Sequence, residues 1–183
     1  GDQISSFLGI SKNGNGGLCD YQYGAAQEAG FGWGLMLERG EGNGIKVDSK
    51  KYVHDYIVHV IAHEVGHTLG LRHNFKSSSI YPFDKLQNGE LTGSVMDYVP
   101  VNIAPKGEKQ GPYFQMNLGP YDDWAIEYSY KPINASSPEE EKKELDKIAS
   151  KVADPFLQYG TDEDTFDDAR NMDPLCNRFD IGS

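Results

Sequence analysis

Three of the chain's five histidines and one glutamate fall within His63-Glu64-Val65-Gly66-His67-Thr68-Leu69-Gly70-Leu71-Arg72-His73. Residues four apart on a helix share a face, so His63 and His67 can bring two imidazoles to one metal ion at the ~2.0–2.1 Å of a zinc–nitrogen bond. Glu64 stands beside that pair, placed to take a proton from a water the metal activates without being a ligand itself. A continuing helix would carry His73 away by ~1.5 Å per residue and rotate it off the site. Gly70, which accepts a left-handed conformation, supplies the break that turns the chain back. Three neutral imidazoles with one open position are the donor set of a catalytic rather than a closed structural zinc site. The plain alternative is scattered core or surface histidines, and His-Glu-x-x-His alone has many chance matches. The extended spacing on a periodic helix decides for ligands.

That periodicity is carried by Val53, Ile57, Ile61, Val65 and Leu69, one every four residues. Asp48 or Ser49 can cap the helix and Gly70 can end it. The aliphatic row is expected to pack on a sheet, while the line His59, His63, His67 faces something polar. Ahead of the helix, Ile4 to Ile10 and Phe31 to Leu37 alternate with glycine and asparagine clusters such as Lys12 to Gly17, a pattern of short strands and turns with one helical piece around Tyr23 to Glu28. After Asn74, Pro82, Pro100, Pro105, Pro112 and Pro120 interrupt any long element. Two later helices are expected: Tyr121 to Tyr130, and a charged, solvated one starting at Ser136 or Ser137 and running to about Val152.

The 183 residues fit one domain with a core of ordinary size. A formal charge of −11 disfavours nucleic acid and anionic membrane surfaces as partners. No apolar run approaches the ~20 residues of a membrane span. Gly1-Asp2-Gln3 lacks the features of a secretory signal, so the chain reads as intracellular or as a mature or excised piece of something exported. Cys19 and Cys176 fit either a disulfide or two buried thiols, because bridging does not follow from spacing. Asp162-Glu163-Asp164 and Asp167-Asp168 miss the ligand alternation and glycine of an EF-hand loop, which leaves calcium poorly supported and a solvated acidic surface as the expectation.

His63, Glu64, His67, Gly70 and His73 resemble, position for position, the signature of the metzincin clan of zinc endopeptidases. Ser94-Val95-Met96-Asp97-Tyr98 resembles that clan's methionine-containing turn, which implies that Met96 floors the zinc site. Tyr98 matches a position at which some members carry a tyrosine near the metal, implying a hydrogen bond to the oxyanion of the tetrahedral intermediate; a packing aromatic is the other reading. More closely, His63 to Phe75, Gly93 to Pro100 and Gly119 to Tyr128 resemble a bacterial family of large exported zinc-dependent metalloproteases, long of unknown function. The resemblance implies an α+β fold: a small twisted sheet and the long zinc helix in an upper part, about residues 1–73. An irregular lower part, about 74–183, would hold the methionine turn and helices. It also implies a secreted, periplasmic or cell-surface location. Asn74 departs from the glutamate, aspartate, serine or proline of the familiar subfamilies. The 62 residues before His63 are short for a full upper half, and read as a reduced one or as part of a longer protein.

The function expected is hydrolysis of peptide bonds, with Zn²⁺ on His63, His67 and His73, Glu64 as base and Tyr98 assisting. An extended peptide or protein substrate would lie along an exposed strand edge, with Val99 to Ile103 shaping the pocket beside the cut bond. The rival is a binding or structural domain of a larger exported protein that keeps zinc for stability and cuts nothing. His59 is expected to be hydrogen-bonded at a pocket edge, His54 to be exposed, Asp97 to anchor the methionine turn and Arg72 to pair with a carboxylate. Oligomeric state is not legible.

Overall fold

The computed structural model describes residues 21–43 and 48–165. Four α-helices carry the architecture: α1 (Tyr21–Asn43), α2 (Ser49–Thr68), α3 (Pro120–Tyr130) and α4 (Pro138–Ala149). Short 3-10 turns at Ser77–Ser79, Phe83–Asn88, Ser150–Ala153, Pro155–Leu157 and Asp162–Asp164 punctuate the irregular chain between and after them.

The expected α+β fold with a twisted sheet is incorrect: among the described residues there is no strand. Phe31 to Leu37, read as a strand, lies inside α1, and Ile4 to Ile10 falls outside the described residues, as do Cys19 and Cys176. Packing explains why Gly32 stands inside this helix. A Cβ on Gly32 would stand 2.7 Å from Val101 Cγ1 and 3.0 Å from the Tyr52 hydroxyl. The glycine lets α1 approach what it packs on.

α2 begins at Asp48, whose side chain accepts from the backbone N–H groups of Lys50 and Lys51, satisfying two of the helix's unpaired donors. It ends as a Schellman motif, with Gly70 N–H donating to His67 O and Leu71 N–H to Gly66 O. Gly70 has φ +83°, the left-handed region its position requires.

The face that α2 buries is the reverse of the one expected. Tyr52, Asp55, His59, His63 and Gly66 are buried, whereas Val53, Ile57, Ile61, Val65 and Leu69 are 41–55% exposed. Aromatic packing accounts for the choice. Tyr52 and Ala29, Met36 and Phe114 form a core cluster lined by Trp33, Tyr56, Val101 and Tyr113, and Tyr52 meets Tyr113 and Phe114 edge-to-face at 5.0 and 5.1 Å. Each such buried aromatic contributes about 1.5–3 kcal/mol. Tyr52 donates to Ala29 O at 2.7 Å, and burial pushes its hydroxyl up to about 12, so it stays a donor.

α3 and α4 match their expected spans closely. Ser137 caps α4 by accepting from the Glu140 N–H, and the Trp124 indole N–H of α3 donates to Ile148 O at 2.8 Å. Tyr130 donates to Leu69 O at 2.8 Å, tying α3 to the end of α2. Among the described residues no helix is long and apolar enough to cross a membrane.

Candidate metal centre

His63 and His67 project from the last two turns of α2, and the break at Gly70 returns the chain so that His73 meets them. One nitrogen from each of the three lies within 4.8 Å of the others, making a group that could hold a metal ion. Each ring also has its Nδ1 against an oxygen: His63 against Val95 O at 2.8 Å, His67 against Leu71 O at 3.0 Å, and His73 against the Asp162 carboxylate at 2.9 and 3.1 Å. Because those oxygens only accept, Nδ1–H donates and the lone pair of each imidazole is left on Nε2. Nε2 of His67 and Nε2 of His73 are 3.1 Å apart. Tetrahedral donors at ~2.0–2.1 Å from zinc stand about 3.3 Å from one another, a spacing that this pair fits.

Tyr98 is 2% exposed, and its hydroxyl lies 3.1 Å from His73 Nε2. Its ring packs on Ala25 and Phe75, with Tyr56 and Val60 alongside. Glu64 follows His63 on α2 and is half-buried. His59, 1% exposed, faces Gln115 O at 3.1 Å through Nδ1 and stacks on Phe114, and burial depresses its imidazole to about 4. His54 is exposed, and Arg72 donates two hydrogen bonds to the Glu163 carboxylate at 2.6 and 2.7 Å.

Met96 is fully buried against α2 between His63 and His67. A Cβ on Gly66 would meet its sulfur at 2.2 Å, so the glycine opens the space the methionine fills. Two buried aspartates hold the turn around it. Asp122 of α3 accepts from Ser94 Oγ at 2.6 Å, Val95 N–H at 2.9 Å and Gly119 N–H at 2.8 Å; burial raises its carboxyl, and these bonds hold it partly down. α3 can come this close because Gly119 has no Cβ, which would lie 1.9 Å from Gly93 O.

Asp97 is the second. Its Oδ2 accepts from Thr92 Oγ1 at 3.0 Å and lies 3.2 Å from Ser77 Oγ, while its buried Oδ1 has no hydrogen-bond partner among the described residues. Burial pushes this carboxyl up to about 7, with the hydroxyls of Thr92 and Ser77 holding it partly down.

The profile of the family described as Met-zincin matches residues 46–183. The chain belongs to the Met-zincin family. No curated protein and no solved structure matches it. Met-zincin membership supports a zinc metalloprotease-like chain, and the three histidines form a group that could bind the metal the family implies.

Local spacing revealed nothing of two contributors to this Met-zincin centre and only hinted at a third. Asp162, expected on a solvated acidic surface, is instead against His73, 89 residues away in sequence. Asn74, noted only as a departure, is fully buried and holds the same downstream segment. Gly66 did leave a signal, since a glycine inside a helix costs about 1 kcal/mol relative to alanine and needs a packing reason. An apolar pocket of ≈ 260 Å³, lined by Ala29, Trp33, Tyr52, Val53 and Tyr56, lies at the N-terminal half of α2, apart from the histidines.

Proposed function

We propose that this chain is the catalytic domain of a zinc-dependent endopeptidase that holds its metal through Nε2 of His63, His67 and His73. The observation that carries the reading is the arrangement of the three imidazoles, each with Nδ1 committed to an oxygen acceptor and its other nitrogen turned toward a common point. Bound zinc supplies a Lewis acid that acidifies water and polarises a carbonyl. Glu64 is the base: its carboxylate takes a proton from the attacking water and delivers it to the departing amine nitrogen. Tyr98 Oη, 3.1 Å from His73 Nε2, is near enough to donate a hydrogen bond to the oxyanion that develops on the scissile carbonyl. The substrate is a peptide or protein, and the exported character of the resembling bacterial family supports action outside the cytoplasm.

The expectation that substrate lies along a strand edge is withdrawn, because no strand exists among the described residues. Val101 packs into the cluster between α1 and Tyr52, and Asn102 is engaged with Gln87, Pro112 and Tyr113, so these two residues belong to the scaffold. The rival reading is a zinc-stabilised domain that cuts nothing. A peptide library incubated with zinc-loaded wild type and with Glu64→Gln separates the two. Mass spectrometry should find cleavage by the wild type, reduced by at least about 10²–10³-fold in the variant at equal zinc content. Equal cleavage by both, or none by the zinc-loaded wild type, would favour the rival.

A further inference from the structure

Residues 158–164 run alongside the chain that leaves His73, and the contacts between them are built rather than incidental. Asn74 Nδ2 donates to Gln158 O at 2.9 Å, Asn74 Oδ1 accepts from Gly160 N–H at 3.2 Å, and Phe75 N–H donates to Gly160 O at 2.8 Å. Thr161 N–H then donates to the Asp164 carboxylate at 2.7 Å, which fixes the 3-10 turn Asp162–Asp164. Within that turn Glu163 makes an exposed pair with Arg72. Asn74 and Phe75 thus hold the segment that delivers Asp162 to His73 Nδ1. The other two imidazoles have neutral backbone carbonyls at the equivalent atom.

We propose that Asp162 is a positioning residue for His73, and that Asn74, which holds residues 158–160, supports it there. This rests on the zinc reading above. A carboxylate accepting from Nδ1–H fixes the tautomer, keeps the ring from rotating about its χ2 angle and raises the basicity of Nε2. His73 needs this more than its companions, because it sits on irregular chain after the Gly70 break while His63 and His67 are carried by α2.

The test is zinc affinity, measured by chelator competition, with the cobalt(II)-substituted visible spectrum as a second readout of ligand geometry. The chains compared are the wild type, Asp162→Ala, Asp162→Asn and Glu163→Gln, with folding followed by circular dichroism. Asp162→Ala should lose about 10–100-fold in affinity with an altered cobalt spectrum. Asp162→Asn should lose several-fold, because its amide oxygen still accepts from Nδ1–H but carries no charge. Glu163→Gln, which weakens only the exposed Arg72 pair, should stay within about 2-fold of wild type. A folded Asp162→Ala that binds zinc as the wild type does overturns the proposal. Should Asp162→Ala not fold, wild-type affinity in Asp162→Asn overturns it. So does a Glu163→Gln loss as large as that of Asp162→Ala, which would make segment docking the cause. A wild type that takes up no zinc refutes the endopeptidase reading itself, and this proposal with it.

Discussion

At the residue scale, the ligands are the most legible part of the chain because the signature compresses them into one helix end and one turn. Tyr98 and Met96 were reachable through resemblance, and the structure places Tyr98 against His73 and Met96 against Gly66 of α2. Asp162 was not reachable: nothing local distinguishes an aspartate that a fold brings to an imidazole from its solvated neighbours. Asp97 shows the energetic side of the same problem. Its folded carboxyl, raised to about 7 by burial, exceeds the ordinary value of 3.8, so the unfolded chain ionises first as pH rises. Stability from this group is therefore full below about pH 4 and falls as pH climbs to about 7. His59, depressed to about 4, acts oppositely and withdraws stability as pH falls below its ordinary 6.5. Denaturation of the metal-free chain across pH 4–7, wild type against Asp97→Asn, isolates the first effect. The wild type should lose stability relative to the variant as pH rises. A constant difference across that range would show that the carboxyl is not raised.

At the scale of elements, α2, α3 and α4 were legible because each has a polar or proline cap and a clear span. The direction in which α2 faces was not. Two stripes on that helix are apolar enough to bury, one aliphatic and one aromatic with histidines. Period alone ranks the aliphatic one first. The structure buries the other because Tyr52, Tyr56 and His59 find ring partners in Trp33, Tyr113 and Phe114, and because His59 and His63 each find a backbone carbonyl. α1 was misread for a related reason: its glycines are close-approach and helix-interior positions, and only the packing of Gly32 reveals one as such. Substitutions report the orientation of α2 directly. Ile61→Ala, at a site 55% exposed, should cost under about 1 kcal/mol, while Phe114→Ala, 4% exposed, should cost about 3–5 kcal/mol. Urea denaturation giving the reverse order would place the aliphatic row in the core.

At the scale of the whole molecule, the metal centre is where four stretches converge, the first two adjacent in sequence and the others distant: the end of α2, the loop carrying His73, the Met96 turn held by Asp122 of α3, and the segment carrying Asp162. The family match over residues 46–183 takes in all four. The oxygens that accept from Nδ1–H come from a different stretch for His63 and His73, so the folded chain prepares the metal-binding nitrogens before any ion arrives, and metal binding should in turn stabilise the fold. The central claim is that three imidazoles hold one zinc ion and leave a position open. X-ray absorption at the zinc edge, on chain loaded to one equivalent, tests it most directly. Three nitrogen scatterers of imidazole type at ~2.0–2.1 Å with one further light atom are predicted, and a His73→Ala variant should show two. A shell containing sulfur, a shell made of oxygen alone, or an unchanged spectrum in His73→Ala would contradict the account.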